Sequence, residues 1–365
     1  MPALRLRAAL AVCGLAALLP VRAAAQDDRT ARRTGSVDVP LLERSRIFKN
    51  IPSDKTGEVY EGLIALHFPV LGNMQDHYDT LAIRLDDCRQ GVADCQRHVW
   101  STLPSLSMIV NLRQTTENSA PVRTPSYMPR GRVTFVRTEA SLTAPNFTGR
   151  LAASTQWVFE VTPIGHYSNG QDGCLFVGQD AAKDCTFAAP VADSALVVNR
   201  KDGSFSTHYI EGAVARRWLT WDDKTLDSGS TRHGAASIAT AFVRVRDYSL
   251  YSGIGGGMEA DLRRLYGTLR VRAGAEYTAE TQSGPSGPWW ISGWVEAGNG
   301  RAPNDVTRLR TSLELGKTFD AMGGTGVFAR WYTGHDDYNL GFLQKINVLQ
   351  IGITLGGERR PTYNR

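Results

Sequence analysis

The run Gly165-His166-Tyr167-Ser168-Asn169-Gly170 places an imidazole two residues before a hydroxyl. On an extended strand, residues two apart share a face, so His166 and Ser168 project the same way and within hydrogen-bonding reach. An imidazole in that position can take the hydroxyl proton as the oxygen attacks an electrophilic carbon, and a third group must then orient the imidazole. His-x-Ser arises often by chance, so its meaning depends on the elements that carry it. In Ser206-Thr207-His208-Tyr209-Ile210-Glu211, Ile210, Gly212 and Val214 mark one face of a strand and His208 shares it. A neutral imidazole accepts the N–H of His166 as an amide oxygen would, which makes His208 the favoured third member. Ser206 and Thr207 are further candidates on the same strand.

The elements that would position these residues are strands. From Tyr60 onward the chain falls into segments of alternating polarity separated by Gly, Pro, Asn and Asp clusters. In Leu269 to Tyr277 the odd positions are apolar and the even ones include Arg270, Arg272 and Glu276; Leu309 to Leu315 alternates against Arg308, Arg310 and Glu314, and Ala239 to Val245 against Arg244 and Arg246. Such charge on one face with apolar residues on the other suits a membrane strand, apolar toward lipid and polar toward a lumen. Eleven strands can be drawn, centred on Glu61–Val70, Leu106–Gln114, Arg132–Thr138, Gln156–Ser168, Phe205–Trp218, Ser237–Asp247, Gly267–Tyr277, Trp289–Ala297, Arg308–Thr318, Val327–Thr333 and Leu343–Leu355. An even count needs a twelfth, expected between Ser36 and Asn50, so the fold class is an all-β transmembrane antiparallel barrel of twelve strands.

Residues 1–25 read as a secretory signal peptide: Arg5 and Arg7, an apolar stretch from Ala8 to Leu19, then Ala23-Ala24-Ala25. Beyond it no apolar run reaches the roughly 18 residues of a spanning helix. Residues 26–58 form an N-terminal periplasmic segment that could hold the first strand, 59–357 the barrel and 358–365 a tail. Export to an oxidising compartment favours two local disulfides, Cys88–Cys95 and Cys174–Cys185, over a metal site. The formal charge of +5 is spread along the chain without a basic face, which argues against nucleic acid. Trp218, Trp289, Trp290, Trp331 and Tyr248 suit an interfacial girdle, or else ordinary sheet packing.

The surroundings of the His/Ser pair resemble the outer membrane phospholipase A family. His166-Tyr167-Ser168-Asn169-Gly170 fits the family's His-x-Ser-Asn-Gly at the outer end of a strand. Ser119 to Arg123 with Tyr127-Met128-Pro129, Glu61 to Val70, and Val327 to Leu355 are similar to further family stretches in the same order. The resemblance implies that His166 is the general base and Ser168 the nucleophile attacking glycerophospholipid acyl esters (A1/A2 and lysophospholipase activity), in the outer membrane of a Gram-negative bacterium. It also implies an oxyanion hole made by the N–H after the serine and a calcium ion, and a reversible homodimer. Calcium would take the backbone carbonyl of Gln171, and that of Ser119 from the partner subunit. The family's asparagine, followed by arginine about a dozen residues after the serine, is not at that spacing because of an insertion holding Cys174 and Cys185; Asn199-Arg200 preserves the dipeptide just ahead of a turn at Asp202-Gly203, which makes Asn199 the alternative third member. A lipid A 3-O-deacylase also carries His-Tyr-Ser-Asn, with an orienting glutamate on the next strand that Glu211 resembles, although parity sends Glu211 inward. A catalytically silent barrel, pore or structural, is the rival from another class.

Strict alternation from His166 would put Glu160 in hydrocarbon, at a cost of several kcal/mol. Pro163 predicts a bulge that turns Trp157, Phe159 and Val161 to lipid and Glu160 to the lumen. Weaker candidates are the Gly253–Gly257 loop, a cation at Asp336-Asp337, and His233 and His335, which have no evident partner.

Overall fold

The computed structural model describes residues 41–51, 58–90, 97–115, 122–142, 151–225, 231–250, 258–280, 287–319, 322, 324–336, 339–355 and 362–364. The leader, the loop with Ser119, Cys95, the Gly253–Gly257 stretch and Asp337 lie outside the described residues. The chain runs β1 (Ser45–Ile51), β2 (Glu58–Pro69), α1 (Met74–Arg89), β3 (His98–Thr115), β4 (Val122–Leu142), β5 (Leu151–Ser168), the short β6 (Gln179–Asp180) and β7 (Thr186–Phe187), β8 (Ser206–Thr225) and β9 (Thr231–Asp247). It continues through α2 (Ala260–Tyr266), β10 (Leu269–Glu280), β11 (Pro288–Gly298), β12 (Leu309–Phe319), β13 (Thr325–His335), β14 (Lys345–Leu355) and β15 (Thr362–Asn364). Twelve of these strands pair antiparallel with their neighbours, and the β14–β1 and β9–β10 ladders close the ring into a barrel. The expected twelfth strand is β1.

The barrel is apolar outside and charged inside. Ile64, Leu66, Phe135, Phe159, Val161, Val243, Val271, Leu313, Leu315 and Ile351 face outward and are exposed, while Arg132, Glu160, Glu211, Arg270, Glu296 and Glu314 are buried in the lumen. This polarity is that of an outer-membrane β-barrel: strands satisfy one another's backbone groups, and lipid solvates the apolar face. Among the described residues no helix is long and apolar enough to cross a membrane. Trp218 and Trp331 are outward as expected, but Trp290 and Tyr248 are not girdle residues. Strand parity carries Trp290 inward, where its indole donates to Glu314 at 2.8 Å, and Tyr248 accepts from Arg246 at 3.3 Å. Arg308 departs the other way, pairing with Asp305 at 3.0 Å on the surface, because it precedes the first residue of β12.

Inside, charge pairs with charge. Arg132 reaches Glu160 at 2.9 Å, Arg272 reaches Glu296 at 2.7 Å, and Arg113 clamps Asp336 at 2.6 and 2.7 Å. Asp336 is therefore buried against an arginine that it shares with Glu61, which lies 2.9 Å from the same guanidinium. Ahead of β1, residues Leu41 to Arg44 run through the lumen: Arg130 and Arg244 pair with Glu43, and Arg44 with Glu276 at 2.8 Å. A cavity of about 320 Å³ remains beside this segment. At the end bearing Ser168, an apolar cluster of Tyr167, Leu175, Phe176, Phe205, Tyr209, Leu262, Tyr266 and Phe342 caps the mouth. At the far end α1 enters the cluster of Val99, Leu103, Val136, Leu219 and Trp221 with Met74, Tyr78, Leu81 and Leu85.

Cys88 sits in this helix. The helix was legible: apolar residues recur at 74, 78, 81 and 85, and Asn73 caps it by accepting the N–H of Asp76 at 2.8 Å. It also explains why β3, β4, β5, β8 and β9 run to 17–21 residues, beyond the roughly 9–11 that cross a bilayer. Their extensions wrap α1.

His77 on α1 is buried between Ser101 Oγ (2.8 Å) and Thr138 Oγ1 (2.6 Å). Burial lowers its pKa from 6.5 to about 4. Between these values the unfolded chain binds a proton that the folded one refuses, so stability is full above pH 6.5 and falls as pH drops toward 4. The loss should approach about 3 kcal/mol. Urea midpoints of the refolded barrel should fall over that window, and His77→Gln should flatten the dependence; an unchanged slope in the variant would assign it to other groups.

Candidate active site

His166 and Ser168 stand at the end of β5, and the bulge before them is present. In the β4–β5 ladder Val133 pairs Val161 and Gly131 pairs Ile164; in the β5–β8 ladder the register slips between Thr162 and Gly165. Trp157, Phe159 and Val161 are exposed on one side of the slip and Ile164 on the other, with Glu160 and Thr162 buried. Without the extra residue at Pro163, either Glu160 would face lipid or His166 the lumen. The slip lets one strand serve both.

The register sets His166 opposite His208 and Ser168 opposite both Tyr127 and Ser206. The two imidazoles approach to 3.2 Å between their Nδ1 atoms, with ring centroids 4.6 Å apart. One nitrogen must donate and the other accept, so the pair shares a single proton between the rings. Among the described residues no hydrogen bond joins the Ser168 hydroxyl to His166. Behind His166, Gly165 is the point of closest packing: a Cβ there would lie 2.3 Å from the Tyr209 ring. Glycine lets that ring pass into the lumen under the imidazole pair.

Level with the histidines the outward wall carries Met108 and Pro129, and below them it is apolar for several rungs: Leu106, Ile164 and Ile210, then Val133 and Val161, then Phe135 and Phe159. It ends in a cross-strand row of Trp100, Arg137, Trp157 and Arg216, whose guanidinium groups lie over the indoles at 5.6 Å and 4.7 Å. From that row to His166 is about 26 Å along the strand, which at a strand tilt of about 35–45° is roughly 20 Å of height, most of a barrel's apolar band of ~25 Å. The site is therefore at one edge of the lipid-facing band and the arginine row at the other.

Asn169 follows the serine and is buried, its amide spent on the chain. Oδ1 accepts from Phe205 N at 3.0 Å, Nδ2 donates to Gly203 O at 2.7 Å, and the Asn169 N–H donates to Phe205 O at 3.1 Å. The N–H that family resemblance assigns to an oxyanion is thus the last rung of the β5–β8 ladder. The next amide, Gly170, sits at φ +67° on the exposed turn and makes no hydrogen bond among the described residues. Sequence reasoning missed it, though Asn-Gly is a turn signal.

Asn199 lies in the loop. Its amide donates to Cys174 O at 3.2 Å and accepts from Lys201 N at 3.3 Å, closing the turn before Gly203. The insertion is stapled by Cys174–Cys185, with Cα atoms 5.3 Å apart. Its Leu175 and Phe176 pack into the cluster capping the barrel mouth. It covers the lumen and leaves the outward wall open. Glu211 is also inward, held by Arg246 at 2.6 Å and flanked by Arg244 and Arg130 at 3.6 and 3.8 Å. Gln171 donates its amide to Thr124 Oγ1 at 3.3 Å, with Asp172 exposed beside it. No group of three His, Cys, Asp or Glu side chains poised for a metal occurs among the described residues.

Fold and site define an outer-membrane β-barrel that carries an imidazole pair and a serine hydroxyl at the lipid boundary of its wall. Among solved structures the chain is similar to outer membrane phospholipase A from Escherichia coli, at 11% identity and a TM-score of 0.39, covering 86% of this chain and 97% of that one. It is also similar to a dimeric, calcium-bound outer membrane phospholipase from Salmonella typhi, at 11% identity and 0.38, covering 86% and 91%. A Rhodopseudomonas blastica porin follows at 7% identity and 0.24, covering 88% and 97%. No protein-family model and no curated protein sequence matches. Likeness at this level says nothing of activity, which must come from the residues.

Proposed function

We propose that this protein hydrolyses the acyl esters of membrane glycerophospholipids (A1/A2 and lysophospholipase reactions) in the outer membrane of a Gram-negative bacterium. The observation that supports it is the placement of His166, His208 and Ser168 on the outward wall, above apolar rungs where an acyl chain lies in lipid. In this reading His208 Nδ1 accepts the N–H of His166 Nδ1, which leaves His166 Nε2 with its lone pair for the Ser168 proton. Ser168 Oγ attacks the ester carbonyl, His166 passes the proton to the departing alkoxide, and water then releases the acyl group by the same base. Gly170 N–H is the available oxyanion donor.

The oxygens at this turn, the Gln171 carbonyl, the Thr124 hydroxyl and the Asp172 carboxylate, have the hard-donor character of a calcium site. Calcium, when bound there, supplies positive charge toward the oxyanion. Gln171 would hold it by its carbonyl. Ser119 from a second copy would complete it in a reversible homodimer, as the calcium-bound dimer structure of the similar Salmonella protein suggests.

The test is fatty-acid release from mixed phospholipid micelles by refolded protein, with calcium and with chelator. His208→Ala should lower kcat about 10- to 100-fold with little change in KM, and His208→Asn should recover part of it by restoring an acceptor. An equal loss in both variants, or a loss confined to KM, would remove His208 as the positioning residue; no release by folded wild type would leave a silent barrel.

A further inference from the structure

We propose that His166 and His208 also form a chelating site for a divalent d-block cation of the zinc class, and that its occupancy switches hydrolysis off. The two Nδ1 atoms are 3.2 Å apart on directly opposed residues of adjacent strands. Two imidazole nitrogens bound to zinc at about 2.0–2.1 Å with a tetrahedral angle stand roughly 3.3–3.4 Å from each other. The spacing that suits a shared proton is therefore also that of two nitrogens on one metal, reached when each ring turns by roughly 35° so that the two lone pairs converge beside the N–N line. Both imidazoles are only half-buried on the outward face at the band's edge, so a hydrated ion reaches them and water fills the remaining positions. A pair of nitrogens selects zinc, copper or nickel over calcium or magnesium, which keeps this site chemically apart from the oxygen donors at Gln171.

The consequence follows from the ring's atoms. A neutral histidine that gives its Nδ1 lone pair to a metal carries its proton on Nε2. His166 in that state presents an N–H to Ser168 and has no lone pair to accept the serine proton. Metal capture thus removes the base without displacing it. The inhibition rests on the hydrolase reading; the binding does not.

Calorimetric titration of refolded Ser168→Ala barrel with zinc chloride in detergent should give one site per chain. His208→Asn in the same background should weaken it about a hundredfold, since loss of even an outer partner typically costs 10- to 100-fold. In the wild type, zinc should lower fatty-acid release at least about tenfold in the presence of calcium. In His208→Asn the ratio of rates with and without zinc should stay near one, whatever its basal rate. Zinc binding unchanged by His208→Asn, or no saturable binding to the folded barrel, overturns the site. One-site binding lost in His208→Asn with no hydrolysis by wild type keeps the site and overturns the hydrolase reading, and hydrolysis indifferent to bound zinc overturns the switch.

Discussion

Ser168→Ala is expected to bring phospholipid hydrolysis down by about 10³-fold or more while the barrel folds as before. The side chain is half-buried on the outward wall and forms no hydrogen bond among the described residues, so removing its oxygen breaks nothing that holds β5 in place. Its backbone pairings with Tyr127 and Ser206 are independent of the hydroxyl. The loss should therefore fall on the chemical step. Initial rates of fatty-acid release, normalised to folded barrel by its heat-dependent gel mobility, measure it. Thr220→Ala, at the far end of β8, serves as the control that keeps its rate. Residual hydrolysis within a few-fold of wild type would take the nucleophile's role from Ser168.

Glu211→Ala is expected to cost about 3–5 kcal/mol of stability, because it strands buried arginines in the lumen. Glu211 is within 2.6 Å of Arg246, 3.6 Å of Arg244 and 3.8 Å of Arg130, and these three ion-pair partners are arginines that Glu43 and Glu160 only partly neutralise. The same variant separates two readings of the site. A glutamate orienting His166 in the manner of a lipid A 3-O-deacylase would lose activity with little loss of stability. A lumen counter-charge loses stability and keeps its rate per folded molecule. Urea unfolding and fatty-acid release on the same preparations distinguish them.

Much of this arrangement was legible because a strand has a period of two. Alternation located the strands, the cost of Glu160 in hydrocarbon required the bulge at Pro163, and parity counted back from Ile210 put His208 on the face of His166. The girdle reading of Trp290 and Tyr248 rested instead on aromatic type near strand ends, and type does not say which side of the wall a ring faces; register does. α1 was not among the elements drawn from alternation, since its apolar residues at 74, 78, 81 and 85 follow a helical period and not a period of two. The commitment of Asn169 N–H to Phe205, and the capping of the lumen by the Cys174–Cys185 loop, depend on residues more than thirty positions apart or on several separate loops.

What the amino-acid sequence determined by itself was the periodic part: strand count, the two faces of each strand, and the outward alignment of His166, Ser168 and His208. These follow from local geometry, since each residue's side is set by its neighbours along one strand. Only the tertiary structure decided which rungs meet across strands. That includes the 3.2 Å approach of the two imidazoles, the arginines that surround Glu211, and Gly170 as the amide left open. Those contacts depend on the register of separate strands closing into one ring, a constraint no single segment carries.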